Sequence, residues 1–415
     1  MSPGEEEKNE RHSRLELLRK SPPLRALVLS RLLSVAGTWL AYVALTVDVY
    51  ARTGSGLWVS AVLFAGFAPS VAGAVLLAPL VDRLERKRLL IGSELVGVAV
   101  FVALAFAGGP LLVVALAGLA GLGAALFQPA LAAALPNLVE EGDLTATNSL
   151  TQTVATAGLA AGPVLAGVLI SAFGVRAAYA VNAGSFLVSA GLLARIPARK
   201  LHSERRLGEG HLRQLRDGAH ALIDAPLLRS VLGAYVLSSA AAAGINVGEI
   251  LLAKSVFHAG TLGFGLLASA GGVGLVCGSL ASARVLDRWP APAVFAAALV
   301  LAGAGFAAAA LAPTIRIAAV FACGAGIANG LFVAAVTLVV QRAVSDEIRG
   351  RVFALLGAGG ETAMGLVMLV AGFLAGTGAR TLWLAAAGLL VGAALVAARG
   401  ARARLVSNVP AVSSA

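Results

Sequence analysis

The sequence predicts an all-α, polytopic membrane protein of twelve transmembrane helices, arranged as two pseudo-symmetric bundles of six. Three observations lead there. First, 59% of the 415 residues are hydrophobic and only 13% charged, where a soluble domain needs about 25% charged residues to cover its surface. Second, the apolar residues fall into long continuous runs of about twenty, the length that spans a bilayer as a helix. Third, the basic residues collect in alternate connections. Continuous apolarity, as opposed to alternation, selects helices over a barrel, because a helix satisfies its own backbone in lipid.

The first 25 residues carry both charge signs and precede a run too long for the core of a signal peptide. They are read as a retained, mostly mobile cytoplasmic tail, with Ser13 to Lys20 a candidate interfacial helix. Six apolar runs follow, near 26–50, 57–79, 89–108, 111–134, 150–173 and 177–195. Runs three and four are separated only by Gly108-Gly109-Pro110, a turn signal that divides what would otherwise be one long helix. A polar stretch at 196–227 intervenes. Runs then resume near 228–251, 261–283, 291–311, 315–340, 352–375 and 381–398, before a tail at 399–415. Bundles at 26–195 and 228–398 are therefore expected, joined by a cytoplasmic loop.

With a cytoplasmic N-terminus, 26 of the 32 Lys and Arg fall in inside segments and five in outside turns, with Arg31 inside run one. Positive charge marks the cytoplasmic side, so both termini and the 196–227 loop are expected there, in the plasma (inner) membrane of a cell. The same split makes the net charge of +11 a topology signal, and no nucleic-acid partner is expected. Cys277 and Cys323 lie inside apolar runs, which suggests neither a disulfide framework nor a metal site. The two halves repeat: APLVDRLERK (78–87) aligns with ARVLDRWPAP (283–292), each in the turn between the second and third run of its half, at an offset of 205 residues. Parallel repeats with a midplane site at their interface are a recurrent transporter design.

The stretch APLVDRLERKRLL (78–90) resembles the signature loop of the major facilitator superfamily, roughly G-x-L-A-D-R-x-G-R-K/R-x-x-L. Leu80, Asp82, Arg83, Arg86, Lys87 and Leu90 match, while Ala78 and Glu85 replace glycines. In run five, GLAAGPVLAG (158–167) is similar to the G-x-x-x-G-P-x-x-G-G element of exporters in that superfamily, through Gly158, Gly162, Pro163 and Gly167, with Ala166 in place of one glycine. QRAVSDEIRGRVFAL (341–355), NSLTQTVATAGLAAGP (148–163) and NAGSFLVSAGLL (182–193) are similar to the macrolide- and siderophore-exporter branch, enterobactin type included.

The resemblance implies a latch. Asp82 would pair with loop bases and face the start of span eleven across the interface of the halves, with Arg83, Arg86, Lys87, Asp287, Arg288, Arg349 and Arg351 as its charged company. A carboxylate at a helix N-terminus gains about 0.3–1 kcal/mol, and such a latch favours the outward-facing state. The alternative is a solvated loop that only sets topology. For run five the resemblance implies packing against span eight, while small residues also serve any close helix contact.

An ionisable group inside a span costs about 2.5–3.5 kcal/mol on insertion scales and is a functional candidate. Arg31 and Glu94 lie one to two turns from cytoplasmic ends, where snorkelling or pairing with loop charges is expected. Asp48 precedes Arg52 by one turn, so a surface ion pair competes with a coupling role. Glu249 has Asn246 before it and Lys254 beyond it. The repeat offset places Glu249 near Asp48, and the resemblance puts spans one and seven on the central cavity. Glu361 is the deepest acid, and an acid in an apolar span suits proton holding. Glu361 and Glu249 are the favoured proton-coupling acids, with Asp48 the third candidate. Gln128, Gln152, Asn182, Asn246 and Asn329, with Arg31, are candidates for contacting a small-molecule substrate or for tying helices together.

A monomeric, proton-coupled exporter of amphiphilic drugs or a siderophore-like metabolite is expected, working by alternating access without a cofactor. No GxxxxGK[ST] loop is present to use ATP. An importer of a small nutrient is the alternative on the same fold. A receptor or membrane-embedded enzyme is the alternative of another class, and no HExxH, GxSxG or catalytic carboxylate pair supports an enzyme.

Overall fold

The computed structural model describes residues 21–76, 84–139, 143–198 and 225–407. These form helices with no strand among them. Among the described residues, eleven continuous helical runs are long and apolar enough to cross a membrane. One of them, Leu144–Ala194, has 51 residues, which at about 1.5 Å per residue is twice the length a bilayer requires. Gly174, at φ 83° and ψ 169°, leaves the helical region there, in a conformation closed to most other residues. Its position divides the run into two spans, and the twelve expected helices are accounted for.

In chain order they are α1 (Pro22–Thr53), α2 (Gly56–Leu76), α3 (Arg86–Ala105), α4 (Pro110–Ala134), α5 (144–173) and α6 (175–194), followed by α7 (Pro226–Leu251), α8 (Gly260–Arg288), α9 (Ala291–Leu311), α10 (Ile315–Ala343), α11 (Asp346–Leu374) and α12 (Ala379–Ser407). Local chemistry sets several ends. Pro22 occupies the first turn of α1 behind Ser21, whose hydroxyl accepts from the Leu24 amide at 3.4 Å; proline is tolerated there because that amide has no partner in any helix. Gly54 closes α1 in the left-handed region at φ 62°, with its N–H on Tyr50 O at 2.8 Å. Pro110 opens α4, so the Gly108-Gly109-Pro110 turn separates two helices. Several helices run past their apolar stretches. α8 includes Asp287 and Arg288, α11 takes in Arg349 and Arg351, and α1 reaches Arg52. Backbone hydrogen bonding continues into the interfacial charges, and the turn expected at Asp287 is a helix end.

The chain divides into two compact units, Met1–Gly54 with Ala61–Leu207 and Ser55–Ser60 with Gly208–Ala415. In the first unit, α1, α3, α4 and α6 meet in an apolar cluster that includes Leu24, Leu27, Leu90, Phe127, Ala130 and Leu193. In the second, α7, α9, α10, α11 and α12 surround Leu228, Phe295, Phe332, Val352 and Leu390. A close backbone approach in that unit joins α8 to α10. A Cβ on Gly274 would lie 2.0 Å from Cys323 O, and one on Gly330 2.4 Å from Leu275 O. Backbones this near require glycine on both helices, as small-residue packing in lipid predicts. Cys277 and Cys323 are free thiols.

Candidate functional site

The first unit holds several polar groupings on its helices. In the N-terminal third of α1, Arg31 is half-buried, and its Nη1 donates to Gln128 Oε1 of α4 at 2.9 Å. Gln128 is exposed. Arg31 was expected to snorkel or pair with a loop charge; it bonds instead to an uncharged amide on a neighbouring helix.

One residue earlier, Ser30 faces the other way. Its Oγ lies 2.6 Å from Ser189 Oγ of α6, both fully buried. Ser189 is also hydrogen-bonded to the carboxyl of Glu94, which is 1% exposed and whose Oε2 has no partner. The expectation that Glu94 reaches the interface is corrected. The Glu94 side chain points into the bundle because that face of α3, with Leu90, Gly97 and Phe101, is the buried one. Sequence depth alone gave no warning, since depth does not report helix face.

Near the C-terminal end of α1, Asp48 is buried and both its oxygens are occupied. Arg52 Nε donates to Oδ1 at 2.7 Å and the Tyr179 hydroxyl to Oδ2 at 3.0 Å. Arg52 Nη1 also donates to Ala107 O at 2.9 Å, so the grouping ties α1 to α6 and to the link after α3. Phe101 stacks on Phe186 at 5.5 Å and leans on Tyr179 at 6.1 Å, which fixes the phenol. The Asp48–Arg52 ion pair is the alternative that one-turn spacing offered. Tyr179 had no signal in the sequence; a lone tyrosine in an apolar run does not announce its acceptor.

Asn182 is 1% exposed, accepts from Ser185 Oγ at 3.2 Å and lies against Gly37, whose added Cβ would meet its Oδ1 at 2.4 Å. It ties α6 to α1. Gln152 is exposed on α5. Of the α5 element, Gly158 and Gly162 are filled by α1. A Cβ on Gly158 would lie 2.2 Å from Val35 Cγ1, and one on Gly162 2.5 Å from Trp39 Cβ. Pro163 and Gly167 are buried. The described packing of these two glycines is therefore on span one, in the same unit.

In the second unit, Glu249 is buried near the end of α7, with Asn246 half-buried one turn earlier. Gly248 lets the Trp383 indole of α12 approach, and Trp383 Nε1 donates to Ile245 O at 3.2 Å. Directly beyond Glu249 the helix widens into a π turn, Leu252–Val256, which contains Lys254; such turns concentrate at functional sites. Glu361 is exposed midway along α11. The preceding residue, Gly360, lies against Tyr235 and Ser239 of α7, where a Cβ would meet Tyr235 Cε1 and Ser239 Oγ at 2.6 Å. Tyr235 stacks on Phe332 at 6.2 Å. Asn329 is exposed on α10.

Of the latch residues, Asp82 and Arg83 lie outside the described residues. Lys87 Nζ donates to Ala194 O at 2.7 Å, binding the last turn of α6, where carbonyls lack helical partners and a cation is favoured. Arg88 pairs with Glu85 at 2.9 Å, and Arg86 opens α3. Arg349 Nη2 donates to Gln341 O at 3.2 Å, one of the final carbonyls of α10, and Arg351 follows one turn into α11. Asp287 and Arg288 are exposed.

A family profile, the Major Facilitator Superfamily, matches residues 27–248 and 231–412. The multidrug efflux pump Tap of Mycolicibacterium fortuitum is 28% identical over 373 residues, 86% of this chain and 90% of Tap. The enterobactin exporter EntS of Citrobacter koseri is 29% identical over 284 residues, 65% of each chain. Among solved structures, a bacterial homologue of the human lysosomal transporter Spinster superposes with a TM-score of 0.73 at 17% identity, covering 92% of this chain and 97% of its own. The nucleoside transporter NupG superposes at 0.74 with 16% identity, covering 91% and 99%. These structural likenesses concern the fold.

Proposed function

The chain belongs to the major facilitator superfamily and is a multi-pass membrane transporter; from that premise we propose that it exports amphiphilic small molecules in exchange for protons. Export is favoured by the efflux pump and the exporter among its relatives and by the glycine-proline element of α5. The observation that carries coupling is Glu361. An ionisable group midway along an apolar helix is costly unless it meets water or a partner. This one is exposed on the helix that abuts Tyr235. A carboxylate there is placed to alternate between proton and substrate.

Glu249, buried beside a π turn, is the second acid in this reading. Asp48 is assigned to structure, because both of its oxygens are committed to Arg52 and Tyr179. Alternating access would exchange the exposure of Glu361 between the two sides of the plasma membrane, with both termini and the 196–227 loop cytoplasmic and the chain acting as a monomer. Asp82 and its basic neighbours would restrain the cytoplasmic side.

Everted membrane vesicles test the reading. Accumulation of ethidium or a dansyl amphiphile that collapses with the pH gradient supports it. Accumulation indifferent to that gradient removes proton exchange, and uptake only in right-side-out vesicles makes the chain an importer.

A further inference from the structure

Arg31 is a permanent cation, since a guanidinium does not deprotonate in proteins. It sits ten residues into α1, about 14 Å along the helix at 1.5 Å per residue. One of its five N–H donors is used, on the neutral Gln128. The ion pairs of Arg52 with Asp48 and of Arg88 with Glu85 do not involve Arg31. The acid of its own helix, Asp48, is taken by Arg52 and Tyr179. The acid of α3, Glu94, is buried against Ser189. The protein therefore holds a half-exposed positive charge at membrane depth with a hydrogen-bonding amide beside it and no described counter-charge.

The same stripe of α1 continues with Thr38 and Tyr42, seven and eleven residues on, which share a helix face with Arg31. Thr38 is exposed and Tyr42 half-buried. Trp39 meets Tyr42 edge-on at 5.8 Å and is pinned from behind by Gly162. A cation at one end and an aromatic surface two turns away match a molecule with an anionic head and an aromatic or apolar body.

We propose that Arg31 and Gln128 form a headgroup subsite for anionic amphiphiles (sulfonate, carboxylate, phosphate or catecholate), with the body lying along Thr38, Trp39 and Tyr42. The subsite rests on the transporter reading above and gives it a substrate class. Arg31 supplies charge and a planar donor pair, which an oxyanion accepts bidentately. Gln128 holds the guanidinium in place.

Three dansyl probes with one ring and different heads test it on purified, detergent-solubilised full-length protein: dansyltaurine (anionic), N-dansylethanolamine (neutral) and dansylcholine (cationic). Wild type should bind dansyltaurine at least tenfold more tightly than N-dansylethanolamine, read by dansyl fluorescence. Arg31→Gln should bind the two within twofold of each other while keeping its affinity for N-dansylethanolamine. Arg31→Lys should keep a reduced preference, because the charge remains and the fork is lost. Gln128→Glu supplies an internal anion and should also abolish the preference. Equal binding of the two probes by wild type, tighter binding of dansylcholine, or a preference that survives in both Arg31→Gln and Gln128→Glu overturns the proposal. Binding is read without transport. A wild type that shows the preference yet moves no probe across proteoliposomes retires the transport reading and leaves the subsite standing.

Discussion

The Tyr179 hydroxyl donates to Asp48 Oδ2 at 3.0 Å across 131 residues of sequence. With Arg52 on Oδ1 at 2.7 Å, it engages both oxygens of a buried acid and joins α1 to α6. Two consequences follow for variants at this joint.

Tyr179→Phe deletes one hydrogen bond to a buried carboxylate and should cost about 1–2 kcal/mol. The protein should melt several degrees lower in detergent while retaining pH-gradient-driven transport. Asp48→Asn should behave likewise. Loss of coupled transport in Asp48→Asn, with its melting point unchanged, would return Asp48 to the coupling acids.

The fold was largely legible in the sequence because a bilayer imposes a long, coarse signal. Apolar runs of fixed length located the helices, and Gly108-Gly109-Pro110 separated α3 from α4. The boundary at Gly174 was legible as a position, between runs ending at 173 and starting at 177, though no residue there names its conformation. Sites were less legible. Charge and depth singled out Asp48, Glu249 and Glu361, yet whether an acid meets a partner depends on helix rotation. Rotation is decided by contacts such as Gly97 on Phe186 and Gly162 on Trp39, which join residues far apart in sequence. For that reason Glu94 was misplaced at the interface and Tyr179 went unnoticed.

Glu94 gives a charge prediction. Its carboxyl is 1% exposed with one oxygen unpartnered, and a single hydroxyl does not compensate an ionised carboxylate in that setting. Glu94→Gln keeps the shape and removes the possibility of charge, so it should melt within a few degrees of wild type or above it. Glu94→Lys should fail to accumulate as folded protein. A strongly destabilised Glu94→Gln would mean that the carboxyl itself is required.

Packing gives a paired prediction on two glycines. At Gly162 an added Cβ meets Trp39 Cβ at 2.5 Å, whereas at Gly184 nothing lies within 4 Å. Gly162→Ala should cost about 1–3 kcal/mol by overpacking and lower transport by moving α5 off α1. Gly184→Ala should be neutral or stabilising by about 0.5–1 kcal/mol, the helical preference for alanine. Melting both variants in one detergent checks the sign of each, and an unshifted Gly162→Ala would contradict the packing.

The charge split predicts that the 196–227 loop faces the cytoplasm. In a background with Cys277 and Cys323 replaced, Ser203→Cys should resist an impermeant maleimide in intact cells and react after permeabilisation. Ready labelling of intact cells would invert the topology.

Proton exchange through Glu361 is most directly tested by following both partners at once in proteoliposomes. Purified protein is reconstituted with a trapped pH-sensitive dye, the membrane potential is clamped, and each dansyl probe is supplied outside at equal pH. Probe entering down its gradient should drive protons out, so the lumen turns alkaline in proportion to uptake, most strongly with dansyltaurine. Glu361→Gln should admit probe with no pH change. Uptake by wild type with an unchanged or acidified lumen, or an alkaline shift that persists in Glu361→Gln, would contradict the account.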